Sequence, residues 1–118
     1  MITRFFLTIL CFVSIPIYAA DSVATGMTGY FEIKRLRFGG GFVRVTASTQ
    51  FEDPGDCITN SRGKSPVVLV MEDTKSYKEI VSTLLTAKAA GKSVQFWING
   101  CKEDSGLEYP NGTFIYIE

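Results

Sequence analysis

The chain has 118 residues, with 12 lysines and arginines against 12 aspartates and glutamates, and contains no histidine. The balanced charge excludes the broad basic surface that nucleic-acid binding needs, since the densest basic run, Lys34, Arg35 and Arg37, is short and interleaved with apolar residues. Without histidine there is no Ser-His or Cys-His pair, so the expectation is no catalytic residue, no metal and no cofactor.

The first residues read as a secretory signal peptide. Met1 to Arg4 carries a positive charge, Phe5 to Ile15 is an apolar run of about eleven residues, and Pro16 precedes a small-residue site at Ala19 and Ala20. A membrane span would need about 20 apolar residues, and no second run of that length follows. The reading is a signal peptide over 1–20, carrying Cys11 away with it, and one exported domain over 21–118, periplasmic or secreted. Two cysteines then remain, Cys57 and Cys101. In an exported chain of this size a bridge between them is expected, closing a loop that stabilises the fold by about 4 kcal/mol in the chain-entropy treatment. The rival reading, a catalytic thiol, lacks a neighbouring histidine base.

Asp21 to Thr28 is polar and reads as a mobile lead-in. From Gly29 the sequence GYFEIKRLRF is rich in aromatic and β-branched residues. Phe31 and Ile33 share one phase while Leu36 and Phe38 share the other, so all four point inward only if a bulge near Lys34 and Arg35 shifts the phase. Gly39 to Gly41 makes a turn into a second strand, Phe42 to Ser48, with Val43, Val45 and Ala47 inward. Gln50 to Ser65 holds two turn sequences, Asp53-Pro54-Gly55-Asp56 and Ser61-Arg62-Gly63-Lys64, and reads as a loop. Pro66 to Met71 is a continuous apolar run, the pattern of a central strand covered on both faces.

Next comes the most regular stretch. Tyr77, Ile80, Val81, Leu84 and Leu85 recur at helical spacing and predict one amphipathic helix, with Lys75, Lys78, Ser82, Thr83 and Thr86 opposite. Ser76 and Glu79 have capping-box spacing, and Gly91 supplies the stop. Val94, Phe96 and Ile98 then alternate with Gln95, Trp97 and Asn99, which turns Trp97 outward if the first three face the core. Beyond Cys101 the chain is polar and turn-rich, with a short edge strand at Leu107 to Tyr109 and a last strand at Thr113 to Glu118. Asn111-Gly112-Thr113 fits the N-glycosylation pattern.

The element order predicts a mostly β domain with one α-helix, a small OB-like barrel of five or six strands capped by one amphipathic helix. The segment KSYKEIVSTLLTAKAAGKSVQFWINGC also resembles the helix-to-strand segment of AB5-toxin B subunits, specifically the subtilase-cytotoxin type and its exported bacterial relatives. The shared features are an amphipathic helix ending in Ala-Gly-Lys, a strand, and Gly-Cys. The likeness covers Pro66 to Cys101 and the first half by element order alone. It implies a ring of five copies with helices facing a central pore, a glycan ligand and an enzymatic A subunit as partner. That family's sugar-contacting residues lie in a half that does not match here, so none is carried over.

Sugar recognition combines aromatic faces with planar polar groups. The candidates are Trp97, Asn99 and Tyr109, with Tyr30, Tyr116, Asn111 and Arg44 as secondary ones, and Trp97 foremost. Two functions are compatible with the sequence: a lectin-like exported subunit, and a monomeric periplasmic protein-binding or envelope-associated protein without enzymatic activity.

Overall fold

The computed structural model describes residues 25–59 and 61–118; the expected signal peptide, with Cys11, lies outside them. Seven elements follow in order: β1 (Thr25–Met27), β2 (Phe31–Gly39), β3 (Phe42–Glu52), β4 (Lys64–Met71), α1 (Tyr77–Ala90), β5 (Ser93–Asp104) and β6 (Leu107–Ile117). Hydrogen bonding runs β2–β3–β4–β6–β5 and returns from β5 to β2, closing a five-stranded ring in which only β4 and β6 run parallel. Short β1 continues the β2 edge along β5, pairing Met27 with Trp97 and Thr25 with Asn99. With the helix between β4 and β5, this is the OB-like barrel expected from the element order.

The phase shift expected in β2 is present: the ladder to β3 slips between Ile33 and Arg35. Phe31 and Ile33 are buried before the slip and Leu36 packs on the core after it, but Phe38 is 48% exposed. Inward phase does not bury Phe38, because the strand has there run past the barrel's end, close to its turn at Gly40 and Gly41. The lead-in also needs correction. Thr25–Met27 is a strand, fastened where Thr28 N–H donates to the Phe96 carbonyl at 3.0 Å and Phe96 N–H donates to Thr28 Oγ1 at 3.0 Å. Three residues are too few to show an alternation, so no period announces it.

β3 runs beyond the expected Ser48 to Glu52, and β4 begins at Lys64, so the loop between them is shorter than the sequence implied. The ladder between these strands shifts between Thr46 and Phe51, which hides the alternation. Past the shift, Phe51 is buried and stacks on Phe31 at 4.6 Å between ring centroids. β4 is covered on both faces, as its apolar run requires: Val68 and Val70 join the barrel core, while Val67 and Leu69 pack outside against Tyr109, Phe42 and Ile58.

The helix plugs the barrel with Ile80, Leu84 and Ala87, flanked by Tyr77 and Val81. Leu85, expected on this stripe, is 50% exposed; Ala87, three residues beyond Leu84, takes the next inward position and is fully buried. The capping box is absent: Ser76 is the N-cap but its hydroxyl makes no cap bond, whereas Gly91 stops the helix in the left-handed conformation, its N–H donating to the Ala87 carbonyl. Among the described residues no helix is long and apolar enough to cross a membrane.

β5 delivers Val94, Phe96 and Ile98 to the centre of the core, all fully buried. The expected edge strand and last strand are one continuous element, β6, joined to β5 by the turn at Ser105 and Gly106, both at positive φ. Two slips in the β5–β6 ladder allow the crossing. At Gly112 a Cβ would stand 2.7 Å from Phe96 Cδ1 and 2.8 Å from Val68 Cγ1, so only glycine lets β6 close the ring there. The Cys57–Cys101 bridge is formed, across a sequence separation of 44.

Candidate functional site

Residues directly opposite in a sheet share a face, so the registers of β1, β5 and β6 define the outer surface of this side of the barrel. Met27, Trp97 and Phe114 form one cross-strand row. Gln95 and Tyr116 form the next, and Tyr30, one residue before the Phe31 that pairs with Val94, flanks Gln95 on the other side. Alternation on β5 causes this arrangement: with Val94, Phe96 and Ile98 inward, Gln95, Trp97 and Asn99 face out. Tyr30, Phe114 and Tyr116 are 51%, 56% and 47% exposed, and Trp97 is half-buried between its row neighbours. The Thr113 hydroxyl donates to the Trp97 carbonyl at 3.3 Å and holds the slip in β6 that brings Phe114 level with Trp97.

The result is a platform of four aromatic rings around one planar amide, spanning three strands. Strand spacing sets its size at roughly 10 Å across the strands, with its two rows roughly 7 Å apart. Trp97, Tyr30 and Tyr116 are thus brought together from distant parts of the sequence. Phe114 and Gln95 were missed, because only the cross-strand register shows that they adjoin Trp97. Asn99 follows on the outer face of β5, exposed and paired with Thr25.

Tyr109 lies elsewhere. It is 7% exposed, covers Val67 and Leu69, and has the Arg44 guanidinium 4.8 Å above its ring centroid. It therefore stands apart from Trp97 and Asn99, at the edge of a cleft. Arg44 donates to Asp104 Oδ2 at 2.7 Å, and Arg37 donates to the same oxygen at 2.9 Å. These contacts clamp the outer half of the β5–β6 hairpin over β2, β3 and β4. The hydrogen bond from Arg44, aided by Ser105 and by the charges of Arg37 and Arg44, holds the Asp104 carboxyl below its ordinary range against the opposing effect of burial. For Arg44, burial acts downward, but bonds to Asp104 and Tyr109 outweigh it and the net direction is upward. Asn111 is largely buried, at the wall of a cleft, and its Nδ2 donates to the Asn99 carbonyl at 3.2 Å, which leaves the amide nitrogen of the glycosylation pattern occupied.

Two clefts adjoin these features. One, of about 430 Å³, lies between Cys57, Ile58, Thr59 and Ser61, the β4 residues Lys64 and Pro66, and the hairpin tip at Gly106–Tyr109. The other, of about 270 Å³, opens beside Phe114 at the head of α1, where Lys75, Ser76, Lys102, Asn111 and Thr113 line it. Comparison with protein families, curated proteins and solved structures gave no match to this chain.

Proposed function

We propose that the chain is an exported glycan-binding module of the toxin-B-subunit kind, working without chemistry of its own. The observation that carries this reading is the exposed platform of Tyr30, Trp97, Phe114 and Tyr116 around Gln95. Sugar rings present C–H faces that stack on aromatic side chains and hydroxyls that bond to planar amides, and this surface offers both. The disulfide supports export, because bridges persist in oxidising compartments. A ring of five copies and an enzymatic A subunit extend the same reading. Light scattering on the purified domain tests the ring, and a species of one chain mass at high concentration removes it without touching the glycan site.

Binding itself is tested on a glycan array with parent, Trp97→Ala and Phe114→Ala proteins. The expected outcome is a positive response in the parent and a loss of about tenfold in each variant, equivalent to about 1.4 kcal/mol of lost stacking, with thermal melting little changed for Phe114→Ala. A parent that binds no sugar transfers the platform to the second reading, a protein-binding surface. That reading is favoured by the same exposed aromatics, since contiguous apolar patches also mark protein contacts.

A further inference from the structure

The charges around the platform narrow the class of glycan, an argument that rests on the glycan reading above. Within the two aromatic rows every side chain is uncharged: Met27, Trp97 and Phe114, then Tyr30, Gln95 and Tyr116. One row further along β5, Ser93 is flanked by Glu32, its partner on β2, and by Glu118, whose N–H donates to the Ser93 carbonyl at 3.0 Å. Both carboxylates are exposed. Lys88 and Lys92 share a shallow hollow with Glu32, and neither is among the ion pairs of the described residues. At the other border, past Phe114, the cleft at the head of α1 carries Lys75 and Lys102 with Asp73. The two borders therefore carry mixed charge, and a ligand lying across the platform gains nothing from bearing a net charge of either sign. An acidic glycan attracted by Lys75 and Lys102 meets Glu32 and Glu118 at its other end.

Shape points the same way. The platform lies on the outer face of the barrel and is broader than a single sugar ring, and none of Tyr30, Gln95, Trp97 and Tyr116 lines the clefts described above or the hollow at Glu32. Phe114 belongs both to the platform and to the wall of the adjoining cleft, where the Ser76 and Thr113 hydroxyls and the Lys75 and Lys102 ammonium groups supply hydrogen-bonding partners. We infer that the platform takes an extended, uncharged glycan chain, one that lies across both aromatic rows and runs past Phe114 into the cleft at the head of α1.

The test uses the purified, oxidised domain and a panel of unbranched glucose, galactose and N-acetylglucosamine oligomers from mono- to hexasaccharide, beside sialylated and sulfated oligomers of equal length. The expected result is affinity that rises about tenfold or more from mono- to tetrasaccharide in a neutral series and is not improved by sialylation or sulfation. Lys75→Ala and Lys102→Ala, both at the cleft, should each weaken the hexasaccharide about threefold or more while leaving the disaccharide unchanged. Melting curves matching the parent's show that the variants are folded. A monosaccharide bound as tightly as the hexasaccharide, or a charged oligomer bound more tightly than its neutral counterpart, overturns this inference and leaves the glycan reading standing. Silence across the whole panel overturns both.

Discussion

Asp104 shows how one side chain determines where a hairpin lies. Its Oδ2 accepts from both Arg37 and Arg44, which stand on neighbouring strands of the barrel's outer face, so the hairpin tip is held against β2 and β3 rather than left in solvent. Because the folded protein holds this carboxyl below its ordinary range, the contribution to stability is complete above the unfolded value of about 3.9 and disappears as pH falls through the lower folded value. Asp104→Asn should therefore lower the urea midpoint at pH 7, and the gap between variant and parent should close below about pH 4. A gap of the same size at both pH values would mean that the clamp is packing and not charge. Phe114 is the counterpart at the candidate site: its ring is the most exposed of the four aromatics, so truncating it probes binding with little effect on the core.

At the scale of the element, α1 shows why a helical stripe is narrower than its sequence period suggests. Leu84 is fully buried in the barrel mouth and Leu85, its neighbour in sequence, is 50% exposed. Leu84→Ala should cost about 2–5 kcal/mol through lost burial and a residual cavity, and Leu85→Ala should stay within about 0.5 kcal/mol. Urea unfolding of the two variants side by side makes the comparison, and equal losses would place the helix in a different rotation. The spacing of apolar residues locates a face to within about one residue step, roughly 100° of rotation. The exact rotation is decided by what the barrel mouth accepts, here Ile80, Leu84 and the small Ala87. Ser76 and Glu79 carry the same lesson, because correct spacing does not form a box when the N-cap backbone is turned elsewhere.

For the whole molecule, closure and the disulfide act together. The bridge joins Cys57, in the loop between β3 and β4, to Cys101, where β5 leaves the barrel wall. Asp53 anchors the same loop, accepting from Gly55 N–H at 2.9 Å and Cys57 N–H at 2.8 Å. Reducing the bridge should lower unfolding free energy by about 4 kcal/mol, a large part of the total for a domain whose whole stability is about 5–15 kcal/mol. Denaturation with and without reductant, after blocking freed thiols, measures it; an unchanged midpoint would mean that Asp53 and the core hold the loop unaided.

By itself the sequence determined the order of the five barrel strands and the helix, the glycine stop of that helix, the bulge after Ile33, the two-sided burial of Val67 to Val70, the inward row of Val94, Phe96 and Ile98, and the cysteine pairing. Each of these is written in a local period, a turn residue or a count. The tertiary structure alone decided that Thr25–Met27 is a strand, that β6 is continuous, that Tyr109 lies under Arg44, and that Tyr30, Trp97, Phe114 and Tyr116 share one surface. The physical reason is that a ladder slip of one residue moves a side chain to the opposite face, and the slips in β3, β5 and β6 depend on contacts between strands far apart in the chain. Gly112 illustrates it, since what forbids a side chain there is Phe96 on one neighbouring strand and Val68 on another.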